Sequence, residues 1–72
     1  MKKYTLSEYI KKHGDEVCLL KFNEWLANNG YKLITLKTVA DWRRQEYRPK
    51  PKNAKMIMAV SQGRVKWDGI YG

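Results

Sequence analysis

Four breaks partition this chain. Gly14, Gly30, the Pro49-Lys50-Pro51 run and Gly63 leave only short segments between them, and each break falls where an apolar stripe of helical period ends. Short amphipathic segments of this kind bury their apolar faces only against one another, which points to a compact all-α domain of four to five short helices. Seventy-two residues leave no room for a second module, so residues 1–72 are read as one domain.

The segments are legible one by one. Residues 5–13 form a short helix in which Thr5 is the N-cap, Glu8 stands at the capping-box spacing, and Leu6, Tyr9 and Ile10 share a face, with Gly14 as the stop. Residues 15–29 form a second helix, capped by Asp15 and striped by Cys18, Leu19, Phe22, Trp25 and Leu26 up to Asn28-Asn29-Gly30. Residues 31–34 bridge to a third helix, 35–46, with Thr35 as its cap and Leu36, Val39 and Trp42 facing inward. Pro49 disfavours helix at Arg48, so residues 48–52 are expected to be a stiff, extended, basic connector. Residues 54–60 are almost wholly apolar. A helix capped by Asn53 and stopped by Gly63 is favoured, with a hairpin through residues 61–63 as the other solution. The last residues, 65–70, are expected to be extended, packing Val65 and Trp67 on the body.

Composition excludes several classes. At 43% apolar residues with three tryptophans, a core is expected. One cysteine, Cys18, permits neither a disulfide framework nor a cysteine-based zinc site. No apolar run reaches a membrane span and no signal-like stretch opens the chain, so a cytoplasmic protein is expected. There is no phosphate-cradling glycine loop, no Ser/His/Asp set and no metal-ligand spacing, hence no expected enzyme activity, metal, cofactor or small-molecule substrate. His13, the lone histidine, sits where a cationic ring suits a helix end, and Cys18 lies on a buried stripe.

The net charge is +8 and unevenly placed. Residues 37–72 hold nine Lys and Arg against three acidic residues, while residues 1–36 hold six against four. A basic half on a small folded domain is the electrostatic footprint of nucleic-acid binding, since each phosphate contact releases condensed counterions. The plain alternative is a solubilising surface. Within an all-α fold, the pair 15–29 and 35–46 forms a candidate helix-turn-helix, whose second helix lies in the major groove of double-stranded DNA. Its outward residues Lys37, Thr38, Asp41, Arg44 and Gln45 are the candidate base contacts, weighed against an ordinary solvated face with a Lys37–Asp41 pair. Thr35, Arg43, Arg48, Lys50, Lys52 and Lys55 are the candidate phosphate contacts. Phe22, Trp25, Trp42, Met56, Ile57 and Met58 are read as core rather than as a stacking platform or pocket.

Two stretches resemble small Cro-type repressors of phages and prophages. Tyr4-Thr5-Leu6-Ser7-Glu8-Tyr9-Ile10-Lys11-Lys12-His13-Gly14 resembles their first helix, and Thr38-Val39-Ala40-Asp41-Trp42-Arg43-Arg44 resembles their recognition helix. The order that follows, Pro49 to Pro51, Asn53-Ala54, Ile57, Ser61-Gln62-Gly63-Arg64-Val65 and Trp67-Asp68, is similar to the tail of a subgroup with a fourth helix. The middle departs from the pattern: Leu26 takes the small position, and Gly30 stands nine positions before Val39, a longer turn than the pattern has. Residues 31–34 are then a longer loop or an extra helical turn. The resemblance implies a repressor that occupies operator DNA in a bacterial host, associated with the nucleoid. A homodimer through Trp67, Ile70 and Tyr71 is a further expectation. Two other readings stand beside it: a DNA-bending architectural or excision factor, and a small phage protein that binds and inhibits a host protein.

Overall fold

The computed structural model describes residues 3–71. Five helices follow one another, α1 (Leu6–His13), α2 (Asp15–Asn28), α3 (Leu36–Arg43), α4 (Pro51–Val60) and α5 (Trp67–Tyr71), with no strand among the described residues. The hairpin solution for the C-terminal half is thereby excluded. α1 starts as its sequence demands. The Thr5 hydroxyl accepts from the Glu8 N–H at 3.2 Å, and the Glu8 carboxylate accepts from the Thr5 N–H at 2.9 Å.

Asp15 departs from its expected role. Gly14 is the N-cap of α2, and Asp15 stands inside the first turn with its carboxylate on Arg43 of α3. α2 then ends in a complete Schellman closure. The Gly30 N–H bonds the Ala27 carbonyl at 3.2 Å and the Tyr31 N–H bonds the Leu26 carbonyl at 2.9 Å, with Gly30 in the left-handed region. Residues 31–35 are irregular, so the long turn is a loop and not an extra helical turn. Asn23 on α2 holds that loop from below: its amide donates to the Ile34 carbonyl at 3.0 Å and its oxygen accepts from the Ile34 N–H at 2.9 Å. One side chain thus satisfies both backbone groups of a residue that no helix or strand serves.

α3 is shorter than the sequence suggests. It ends at Arg43, where the Gln45 N–H bonds the Trp42 carbonyl and the Glu46 N–H bonds the Asp41 carbonyl, again a Schellman closure, with Gln45 at φ 62°. Val39 and Trp42 are buried as expected, but Leu36 is not; as the first residue of the helix it stands clear of the core. The extended connector also stops early. Lys50 caps α4 in the extended conformation that a following proline imposes, and Pro51 opens the helix, where its missing N–H costs nothing. Asn53 is therefore inside α4 rather than its cap. The same helix closes on Gln62 at φ 57° and Gly63, through Gln62 to Ala59 and Gly63 to Met58 backbone bonds.

The C-terminal segment is helical, not extended. Ile70 of α5 reaches the core, whereas Trp67 is 45% exposed and stacks on Tyr71 with ring centroids 5.5 Å apart. Gly69 lets α5 approach the segment that precedes α1, since a Cβ there would sit 2.7 Å from the Tyr4 carbonyl oxygen. Val65 is buried as expected, and its N–H donates to the buried Ser61 hydroxyl at 3.1 Å. The core lies where α1 to α4 meet: Ile10, Cys18, Phe22, Leu26, Val39, Met56, Ile57 and Val65 are fully enclosed, and the Phe22 and Trp42 rings lie 6.2 Å apart. Trp25 and Met58 are only half-buried at its edge. The buried Ser7 hydroxyl donates to the Arg43 carbonyl at 2.6 Å, fastening α1 to the end of α3.

Candidate nucleic-acid interface

α3 is placed from three sides, by Asn23 at its entry and by Ser7 and Asp15 at its exit. Its cap is Thr35, whose hydroxyl accepts from the Thr38 N–H at 3.3 Å and lies 3.1 Å from the Thr38 hydroxyl. Along its outer face runs a chain of charges. Lys37 Nζ donates to Asp41 Oδ2 and Arg44 Nη2 to Asp41 Oδ1, each at 3.0 Å, and Arg44 Nε lies 3.6 Å from Glu46 Oε1. The Asp41 side chain is only 10% exposed while that of Lys37 is 78% exposed, so the carboxylate is the shielded centre and the cations are its outer arms. The hydrogen bond from Lys37, seconded by Arg44, holds the Asp41 carboxyl below its ordinary range, and the same bond raises Lys37.

This alters the roles read from the sequence. Both Asp41 oxygens already have partners, so its place in the site is to orient Lys37 and Arg44, each of which retains unused N–H donors. The plain Lys37–Asp41 pairing is realised, and Arg44 joins it. Gln45 has left the helix for the left-handed turn and lines a recess between α1 and α5 with Thr5, Ser7 and Asp68, apart from Lys37 and Thr38. Arg43 Nε donates to both oxygens of Asp15, at 2.9 and 3.2 Å, and so ties α2 to α3.

The remaining candidates converge. A shallow groove beside the start of α3 is lined by Thr35 and Thr38, by Arg48 and Lys50 ahead of α4, and by Lys32 and Asn53. The next recess holds Lys52 and Lys55 with Trp25 and Tyr31; Lys52 Nζ stands 5.0 Å over the Tyr31 ring, which stacks on Trp25. Arg48 also donates from Nη1 to the Tyr71 carbonyl at 2.6 Å, and the Tyr71 hydroxyl donates to the Pro49 carbonyl, so α5 braces the connector. Lys32 is not among the residues expected from the sequence, since a single lysine in an irregular loop carries no periodic signal.

The helix ends add to this charge. Glu8 stands in the first turn of α1 and Asp15 and Glu16 in that of α2, where carboxylates complement the positive end of the helix dipole. The first turns of α3 and α4, both bordering the groove, contain no acidic residue.

No protein-family model matches this chain, nor does any curated protein or solved structure.

Other candidate chemistry lies elsewhere and is weaker. Burial and the adjacent Asp15 push the Cys18 thiol up to about 11, so it is neutral at pH 7. Burial lowers the His13 pKa, helped by Lys21, Lys12 and Arg64, which favours the neutral ring over the cation that would suit a helix end. Among the described residues no group of three or more His, Cys, Asp or Glu is arranged to hold a metal, and no helix is long and apolar enough to cross a membrane.

Proposed function

We propose that this protein is a sequence-specific double-stranded DNA-binding regulator that represses by occupying its operator. The observation that carries the reading is the basic groove shared by the acid-free starts of α3 and α4, with Lys37 and Arg44 oriented by Asp41 on the adjoining face. In this reading α3 enters the major groove, and Lys37, Thr38 and Arg44 reach base edges, where lysine and arginine suit the guanine acceptors. Lys32, Arg48, Lys50, Lys52 and Lys55 meet phosphates on either side and fix the register. The sequence resemblance to Cro-type repressors supports the same assignment. One eight-residue helix reads few base pairs, so a two-fold dimer on a palindromic site is the natural way to lengthen the readout. Of the residues expected at such an interface, Trp67 is exposed and Ile70 is committed to the protein's own core.

The test is selection from a pool of random duplexes at about 150 mM salt, where loose surface attraction is already screened. The expected outcome is an enriched motif whose binding is lost in Lys37→Ala or Arg44→Ala. A pool that stays random counts against a sequence-specific regulator, and absence of duplex binding even at low salt turns the search to a protein partner.

A further inference from the structure

The outward face of α3 pairs many of its polar groups with one another, and its start leaves apolar side chains to solvent beside the exposed Lys37. Asp41 is shared by Lys37 and Arg44, Arg44 also meets Glu46, and the Thr35 and Thr38 hydroxyls face each other. Leu36, the first residue of the helix, is 43% exposed, and Leu33, two positions before the cap, is 53% exposed. A single exposed leucine on a small protein needs no explanation. Here two stand within four positions, before and after the Thr35 cap in sequence, at a helix start where base-reading residues belong. Leu33 moreover lines the same groove as Lys32, Arg48 and Lys50, and no acidic residue lines that groove. An apolar contact framed by cations fits a polyanion that presents an apolar group of its own. On the major-groove edge of a duplex that group is the C5-methyl of thymine.

We propose that Leu33 and Leu36 read thymine, seating against C5-methyl groups where the start of α3 meets the major groove. The inference rests on the duplex-binding reading above and assigns the apolar part of its specificity. Lys37 and Arg44 recognise acceptors on purines, while the two leucines distinguish thymine from cytosine, which lacks the methyl group. Neither leucine belongs to the polar set expected from the sequence: Leu36 reads there as an inward helix position, and Leu33 falls in the bridge between helices.

The test uses the enriched duplex from the selection and a series in which each thymine is replaced in turn by deoxyuridine, which removes the methyl group and leaves the pairing edge intact. Affinity is measured by fluorescence anisotropy for the unaltered protein, for Leu33→Ala and for Leu36→Ala. The unaltered protein is expected to lose about fourfold in affinity at one or two positions, the value of burying one methyl group. Each variant should bind its thymine and uracil duplexes equally at one of those positions. Both side chains are half-exposed, so the variants should retain the fold, and circular dichroism melting checks this. The uracil series on the unaltered protein stands even if a variant does not fold. Indifference of the unaltered protein to uracil, an enriched motif without thymine, or discrimination that survives in both folded variants overturns the proposal and leaves the duplex-binding reading intact. Failure to bind any duplex at low salt overturns both.

Discussion

α1 and α3 have the same length and start the same way, yet they are finished differently. Each has eight residues and a threonine cap. In α1 the cap is answered by Glu8, which returns a hydrogen bond to Thr5 and places a negative charge against the positive helix end. In α3 the corresponding residue is Thr38, which has no charge to offer, and the helix end opens on a groove bearing Lys32, Arg48 and Lys50. α1 is therefore electrostatically complete by itself. α3 retains an uncompensated positive end among cations, a placement that costs stability in isolation and is relieved by an anion. Their anchoring differs as well, since α3 takes its position from α2 through Asn23, a side chain outside its own sequence.

That dependence gives the largest expected effect on stability. Asn23→Ala should lower unfolding free energy by about 1–2 kcal/mol, because both backbone groups of Ile34 lose their partner. Denaturant melts check the value, and duplex affinity should fall further than stability alone requires, since the entry to α3 is released. Remaking α3 in the image of α1 is the sharper test. Thr38→Glu supplies the missing half of the capping box and puts a carboxylate in the groove. The melting temperature should hold or rise while duplex affinity drops at least about tenfold, with one cationic phosphate partner offset and the helix end neutralised. Thr38→Gln separates the charge from the cap, because it can close the box without charge; it too gives up the Thr38 base contact but should retain more affinity than Thr38→Glu.

The caps themselves come next. Thr5→Ala and Thr35→Ala should each cost about 1 kcal/mol, because each removes the hydroxyl that accepts from the N–H three residues on, while the Glu8 carboxylate still accepts from the backbone N–H of residue 5. A larger loss in Thr35→Ala would mean that the Thr35–Thr38 hydroxyl contact adds to that cap. The charges on α3 also leave a signature in acid. The folded-state Asp41 carboxyl lies below its ordinary value of 3.8, so its contribution is present above that pH and is lost as pH falls through the lowered value. Acid unfolding of Asp41→Asn should consequently be less steep in that window, and Lys37→Ala should move it the same way.

How far the sequence alone exposes these features depends on whether they are local. α1 is legible because its cap, its returning carboxylate, its apolar stripe and its stop lie within ten consecutive positions. The all-helical architecture follows from equally local periodicity. What escapes is set by tertiary partners. Asp15 looks like a cap and is instead claimed by Arg43 from another helix, and Asp41 looks like a base reader and is claimed by two cations. Pro51 reads as part of an extended run because the run Arg48-Pro49-Lys50-Pro51-Lys52 carries no mark of where helix starts. Only the position of α4 decides it. The segment 65–70 has too few residues to show a helical period, and its helix depends on Ile70 finding the core and Gly69 fitting beneath Tyr4.

The smallest effect concerns the far ends of the helices, where α2, α3 and α4 close by the same Schellman pattern with different residues at the left-handed position. That position holds Gly30 after α2, but Gln45 after α3 and Gln62 after α4. A side chain in this conformation brings Cβ against the following carbonyl, so glutamine is held there at a cost that glycine avoids. Gln45→Gly and Gln62→Gly should each raise stability by up to about 1 kcal/mol, the local relief being partly offset by the greater freedom of glycine in the unfolded chain. Gly30→Ala should lower it by a similar amount. No atom lies within 4 Å of the added Cβ, so the backbone conformation is the only penalty. Denaturation midpoints that shift in these opposite directions, with unchanged transition slopes, would show that the turn conformation sets the cost at all three helix ends. A loss of stability in Gln45→Gly alone would instead assign a direct role to the glutamine side chain in the recess between α1 and α5.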